Sequence, residues 1–216
     1  MPLSSFTTYN LTLIAPPPTQ TGSSSDELVN ITAMMPQPFR IYEVPGGNEI
    51  ANLQQGLTIA LTPPRIVIAD HSGQSPPQAQ MITAAKVLID ALTLAETQVE
   101  SYGWNADVLM DCSGADRLLG ELLSPNRIEE LLGKSRTGRW AAERIEISAP
   151  AEFSDQIKIV LNPEQQSDSH GIRLLLNAHF DSTPDSSDIE RQAQEFSKLS
   201  QEVLETLLQY WDEARS

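Results

Sequence analysis

Two stretches of this chain repeat one order of parts. "RIVIADHSGQSPPQAQMITAAKVLIDAL" (65–92) and "RLLLNAHFDSTPDSSDIERQAQEFSKL" (173–199) each run arginine, apolar strand, histidine, a hydroxyl- and acid-rich linker, proline, then a long helical pattern. A strand presents alternate residues to one face, and a helix presents every third or fourth. When a strand feeds directly into an amphipathic helix, the stable solution is to bury the helix stripe on the sheet face. In the first stretch Ile82, Ala85, Leu88, Ile89, Leu92 and Val99 recur at helical spacing to about residue 101. Ser75 reads as the cap, Pro76 as the first helical residue, Gln78 as the partner in a capping box and Gly103 as the stop. In the second, Ile189, Ala193, Phe196, Leu199, Val203, Leu207 and Tyr210 line one side of a helix from about Pro184 to the end. Thr183 before Pro184, or Ser187 with Glu190, supplies its cap. The likeness is either an internal duplication or the generic grammar of a strand running into a capped helix, and the second is the simpler account.

The rest of the pattern is mostly strand. Tyr9, Leu11, Leu13 and Ala15 share one parity, as do Val29, Ile31, Ala33 and Met35. Phe39, Ile41 and Glu43 lead into the turn "PGG", and Leu57, Ile59 and Leu61 precede Pro63-Pro64. "WNADVLM" (104–110) reads as a strand, and Ile145–Ile147, Ile157–Leu161 and Ile172–Phe180 form a three-strand meander. "PPPTQTGSSSD" (16–26) is a loop. "GADRLLGELL" and "PNRIEELL" predict two short helices in the middle. The expected fold is a single α+β domain over 1–216, predominantly antiparallel sheet covered by two long amphipathic helices in two layers. Its two similar halves would divide at 102/103. No stretch reaches the strength of a family motif. The order strand, two short helices, meander and long helix (104–216) resembles the helix-grip arrangement of small-molecule-binding domains, with fewer strands than that fold wraps around its helix.

Charge narrows the partners. A net charge of −15 disfavours a grip on phosphate backbones or anionic membrane, so neither nucleic acid nor membrane is expected. Arg40 is the first basic residue, which predicts no secretory or transit peptide. The single cysteine, Cys112, fits a reducing cytoplasm. Asn10-Leu11-Thr12 and Asn30-Ile31-Thr32 match the glycosylation pattern but read as strand residues without an export signal.

The chemical motifs are thin. Gly133-Lys134-Ser135 lacks the earlier glycine and preceding strand of a phosphate loop, and Gly133 reads as a helix end. Cys112 beside Asp111 could be activated at a helix start, but Ser113 as a cap beside an inert thiol explains it as well. One cysteine with His71, His170 and His179 offers no zinc spacing, and "DHSGQS" and "DSTPDSSD" lack the order of a calcium loop. No metal or cofactor is therefore expected. Arg117, Arg127, Lys134, Arg136, Arg139 and Arg144 hold six of the fourteen basic residues, with Trp140 among them. Arg136, Arg139 and Trp140 are candidate partner contacts, as are Tyr210 and Trp211 on the last helix. Asn177, His179 and Asp181 share the parity opposite Ala178 and Phe180, and are the candidate ligand contacts. Taken together these features predict a non-enzymatic, cytoplasmic interaction or assembly component, with a protein partner, a basic one included, or a second copy of the chain. The first alternative is a small-molecule-binding or hydrolytic domain with its pocket between helix and sheet. The second is an acidic mimic of nucleic acid.

Overall fold

A computed structural model of the chain describes residues 3–15, 38–94, 96–111, 144–166 and 169–215. They form one antiparallel sheet of nine strands with two helices, an α+β architecture. In chain order these are β1 (Leu3–Ile14), β2 (Arg40–Val44), β3 (Gly47–Asn52), β4 (Leu57–Thr62), β5 (Arg65–Asp70), α1 (Ala79–Leu94), β6 (Ser101–Asp111), β7 (Ile145–Ala151), β8 (Ser154–Gln166), β9 (Ser169–Phe180) and α2 (Ile189–Arg215). The sheet order is β2-β3-β4-β5-β1-β6-β9-β8-β7. The two short helices expected at 114–123 and 125–132 and the alternating residues 29–35 lie outside the described residues.

Strand parity builds the core. Ile50, Ile59, Ile68, Leu11, Trp104, Ala178 and Ile157 stand opposite one another in register, one from each of seven neighbouring strands. All seven are buried. The smallest of them, Ala178, faces the largest, Trp104, so the row keeps an even thickness under the helices. Both helices pack on this face. Helix α1 buries Met81, Ala85, Leu88 and Ile89, and α2 buries Ile189, Ala193, Phe196, Leu204 and Leu207. The Phe196 ring meets Tyr9 edge-on at 6.2 Å. The long apolar stripe of α2 thus serves its own sheet. Lys86 of α1 also pairs with Glu190 of α2.

The two halves run alike about the middle of the sheet. Strands β1 and β6 pair antiparallel with Asn10 opposite Asn105. On each side the next strand outward is the one that precedes a helix: β5 beside β1, and β9 beside β6. Asn10 faces Ala69 on β5, and Asn105 faces Asn177 on β9. The strand pairings are therefore alike in order on either side of the Asn10–Asn105 pair. The likeness to a helix-grip domain is one of order alone, because strands β6 to β9 continue into the sheet of the first half.

Three local expectations are corrected. Helix α1 ends at Leu94, not near 101, and Gly103 lies inside β6. Glu96 takes a positive φ of 53°, Thr97 N–H closes on the Leu92 carbonyl, and Glu100 N–H is drawn to the Ile14 carbonyl of β1. Val99 is buried, but from the irregular segment between α1 and β6. Ser75 does not cap the helix. Its hydroxyl is engaged by Tyr9, Ser197 and Gln201. Asp70, at the end of β5, accepts the backbone N–H groups of Gln78 at 2.7 Å and Ser72 at 2.8 Å. Helix α2 starts at Ile189, and the Asp188 carbonyl accepts its first bond from Gln192. Strand β3, whose "GNEIAN" has weak alternation, was absent from the sequence pattern.

Asp70 is buried and supports the first turn of α1, so Asp70→Ala should lower stability by about 1–3 kcal/mol in a urea melt. Burial also raises the Tyr9 and Tyr102 phenols above their ordinary value of 10.0. The folded state favours the neutral phenol, so this contribution is whole below the unfolded pKa and fades as pH rises through the raised folded values. Thermal melts should show Tm falling above about pH 10, and less steeply in Tyr9→Phe.

Candidate functional site

The face of the sheet away from the helices carries the opposite parity. Opposite the apolar row stands a second row: Thr58, Ala69, Asn10, Asn105, Asn177, Lys158 and Ser148, again in register across seven strands. Its three central amides are joined. Asn177 Nδ2 donates to Asn105 Oδ1 at 2.8 Å, and Asn105 Nδ2 donates to Asn10 Oδ1 at 2.8 Å. Thr12 Oγ1 also donates to Asn10 Oδ1, at 3.1 Å. Asparagine is a poor strand former because its side chain competes for the backbone. Here each side chain is turned to its neighbour instead.

The row crosses a trough of about 780 Å³. Its wall includes Thr8, Asn10, Thr12, Asn105, Asn177 and His179, together with Arg65, Arg144, Lys158 and Asp107. Gly103 makes the room. It lies between Thr12 and His179 in register, and a Cβ there would stand 3.0 Å from the Ala178 carbonyl and 3.1 Å from Asn177 Nδ2.

Arg173 holds the Asp107 carboxylate through two nitrogens, Nε at 3.0 Å and Nη2 closer. Glu146 is shared by Lys158 and Arg144. The Lys158 ammonium, then the Arg144 guanidinium, holds the Glu146 carboxyl below the usual carboxylate range. Arg65 forms no ion pair with another described residue. His179 Nε2 lies 2.8 Å from Asp181 Oδ1, which fixes the ring orientation. The Asp181 backbone N–H is in turn held by Asp155 at 2.7 Å.

Of the three ligand contacts expected from parity, the structure puts Asn177 and His179 on the trough wall. Asp181 stands just beyond β9, largely exposed, and reaches the site through His179. The trough is on the face away from the helices, and on the helix-facing side the row is filled by Trp104, Tyr9, Phe196 and their neighbours. Arg136, Arg139, Trp140, Cys112 and the Gly133-Lys134-Ser135 stretch lie outside the described residues. Tyr210 and Trp211 belong to α2, but their side chains are also outside what is described. Sequence reasoning missed Asn10, Asn105 and Lys158 as site residues. The available signal was the pair "TYNLT" and "GWNAD", each with an aromatic residue just before a mid-strand asparagine.

Among the described residues no three His, Cys, Asp or Glu side chains converge as metal ligands, and no helix is long and apolar enough to cross a membrane. A search of known protein families and one of curated proteins found no match to the chain.

The arrangement can present amide donors and acceptors, two clustered cations and an oriented imidazole to one bound molecule. If the amides act as a connected ladder, removing the middle one costs most. Asn105→Ala should destabilise by about 1–3 kcal/mol in a urea melt, and Asn177→Ala by roughly half of that. Equal losses in the two variants would count against the ladder.

Proposed function

We propose that this chain is a binding protein that receives a small polar molecule in the trough on the far face of its sheet. The observation that carries the reading is the line Asn10, Asn105, Asn177 and Lys158. These are four half-buried polar side chains in one row, in a cavity of a size suited to a small ligand. Groups of this kind fix orientation and specificity when a ligand replaces water. The His179–Asp181 pair resembles the base-and-orienter part of a hydrolytic site, but its described hydrogen bonds include no serine or cysteine nucleophile. The reading is therefore of binding without catalysis.

One observation favours the second reading, an assembly component. Among the described residues strand β2 lies at a sheet edge, and its Ile41 and Tyr42 are 47% and 37% exposed. Unpaired edges with apolar side chains are natural sites for strand addition by another chain.

The chain purified without denaturation from its source cell should carry a small molecule in native mass spectrometry. Asn177→Leu, of similar volume, should lose it while remaining folded, with a stability loss no greater than that of Asn177→Ala. A stoichiometric protein partner or a dimer by light scattering, with an empty trough, would replace the first reading by the second.

A further inference from the structure

We propose that the ligand of the trough is an anion whose carboxylate or phosphate group sits against Lys158 and Arg144, with its polar body lying along the amide row. This inference rests on the binding reading above and adds the chemical class.

Three observations lead to it. The first is the direction of the ladder. Donation runs from Asn177 to Asn105 to Asn10, so the Asn177 carbonyl oxygen and the Asn10 amide nitrogen are its free ends among the described hydrogen bonds. The carbonyl end lies toward β8, where Lys158 is the register partner of Asn177. A molecule laid along the row meets a donor at the Asn10 end, and at the other end a carbonyl that takes an O–H or N–H of its body beside the Lys158 ammonium that takes its anionic group. Neighbouring strands are about 4.8 Å apart, so the four side chains span about 14 Å.

The second is the local charge. In a chain of net charge −15, the trough wall carries, among the described residues, Arg65, Arg144 and Lys158 against the single carboxylate of Asp107. That carboxylate is taken up by Arg173 from outside the wall. Among the described ion pairs Lys158 and Arg144 share one carboxylate, Glu146, which leaves one positive charge between them. Lys158 is only partly exposed, so an incoming anion meets it with reduced screening.

The third is the difference between the halves. Counted outward from the Asn10–Asn105 pair, Asn177 corresponds in register to Ala69 and Lys158 to Thr58. The strand pairings are alike on both sides, so sheet architecture does not require an amide and an ammonium on one side alone. That amide–ammonium pair stands in the second half, where Lys158 and Arg144 converge on Glu146.

The test is a titration of the full chain followed by the side-chain amide resonances of Asn105 and Asn177. The probes are inorganic phosphate, succinate and the neutral sugar N-acetylglucosamine, each at constant ionic strength. At least one anion should give saturable shifts confined to the trough, and the better one tells phosphate from carboxylate. Lys158→Gln should weaken its binding by about ten-fold, with Lys158→Arg largely restoring it. Lys198→Gln, on the exposed side of α2, should leave it unchanged. Equal weakening by Lys198→Gln would mean long-range charge alone and would overturn the proposal. Saturable shifts with the neutral sugar and neither anion would overturn the anionic class while supporting a binding trough. No saturable shift with any probe, together with an empty trough in native mass spectrometry, would remove both.

Discussion

The β1–β6 pairing is the interaction on which the rest of this structure depends. It runs from Leu3 opposite Asp111 to Ile14 opposite Ser101 and joins residues about a hundred positions apart. Each of the two strands then accepts the strand that leads into a helix, so both helices arrive on the same face. Remove this pairing and there are two smaller sheets, each with one helix and an exposed edge. With it, Trp104 is flanked by Leu11 and Ala178 and is fully buried. Burial of so large a ring is among the largest single contributions a core makes, on the order of several kcal/mol.

The polar row on the far face follows from the same register. Strand side chains alternate, so a row that fills the core on one side sets a second row, one residue out of phase, on the other. Asn10, Asn105 and Asn177 come into line because Leu11, Trp104 and Ala178 do. The amides are hydrogen-bonded in a line, and a glycine, Gly103, keeps the neighbouring row open beside them. Fold and candidate site therefore share one set of backbone hydrogen bonds. A register slip in β6 would displace the core row and the amide row together.

Much of the architecture was legible in the residues. The two-residue period of Tyr9–Leu11–Leu13 and of Ile172–Leu174–Leu176–Ala178–Phe180 marks the buried faces, and the α2 stripe marks its packing side. The helix ends were less legible. Val99 continues the helical spacing of α1, yet its segment is not helical, and Glu100 is captured by Ile14, a contact between distant parts of the chain. Ser75 has the right type and place for a cap, but Asp70 reaches the same helix start from the end of β5. Parity also separated Asn177 and His179 from the core. It did not reveal Asn10, Asn105 and Lys158 as their neighbours, because nothing local relates position 10 to 105 or 158.

What the sequence determined by itself is which residues share a side of each element. That follows from periods of 2 and 3.6, which are properties of the local backbone. Parity alone allowed His179 to face either open water or a pocket wall. Only the tertiary structure decided the order of the strands, and with it that the wall is shared by both halves. Strand order is set by long-range burial of Trp104, Tyr9 and Phe196 under the helices, and the free energy of such contacts is written in no local stretch of the chain.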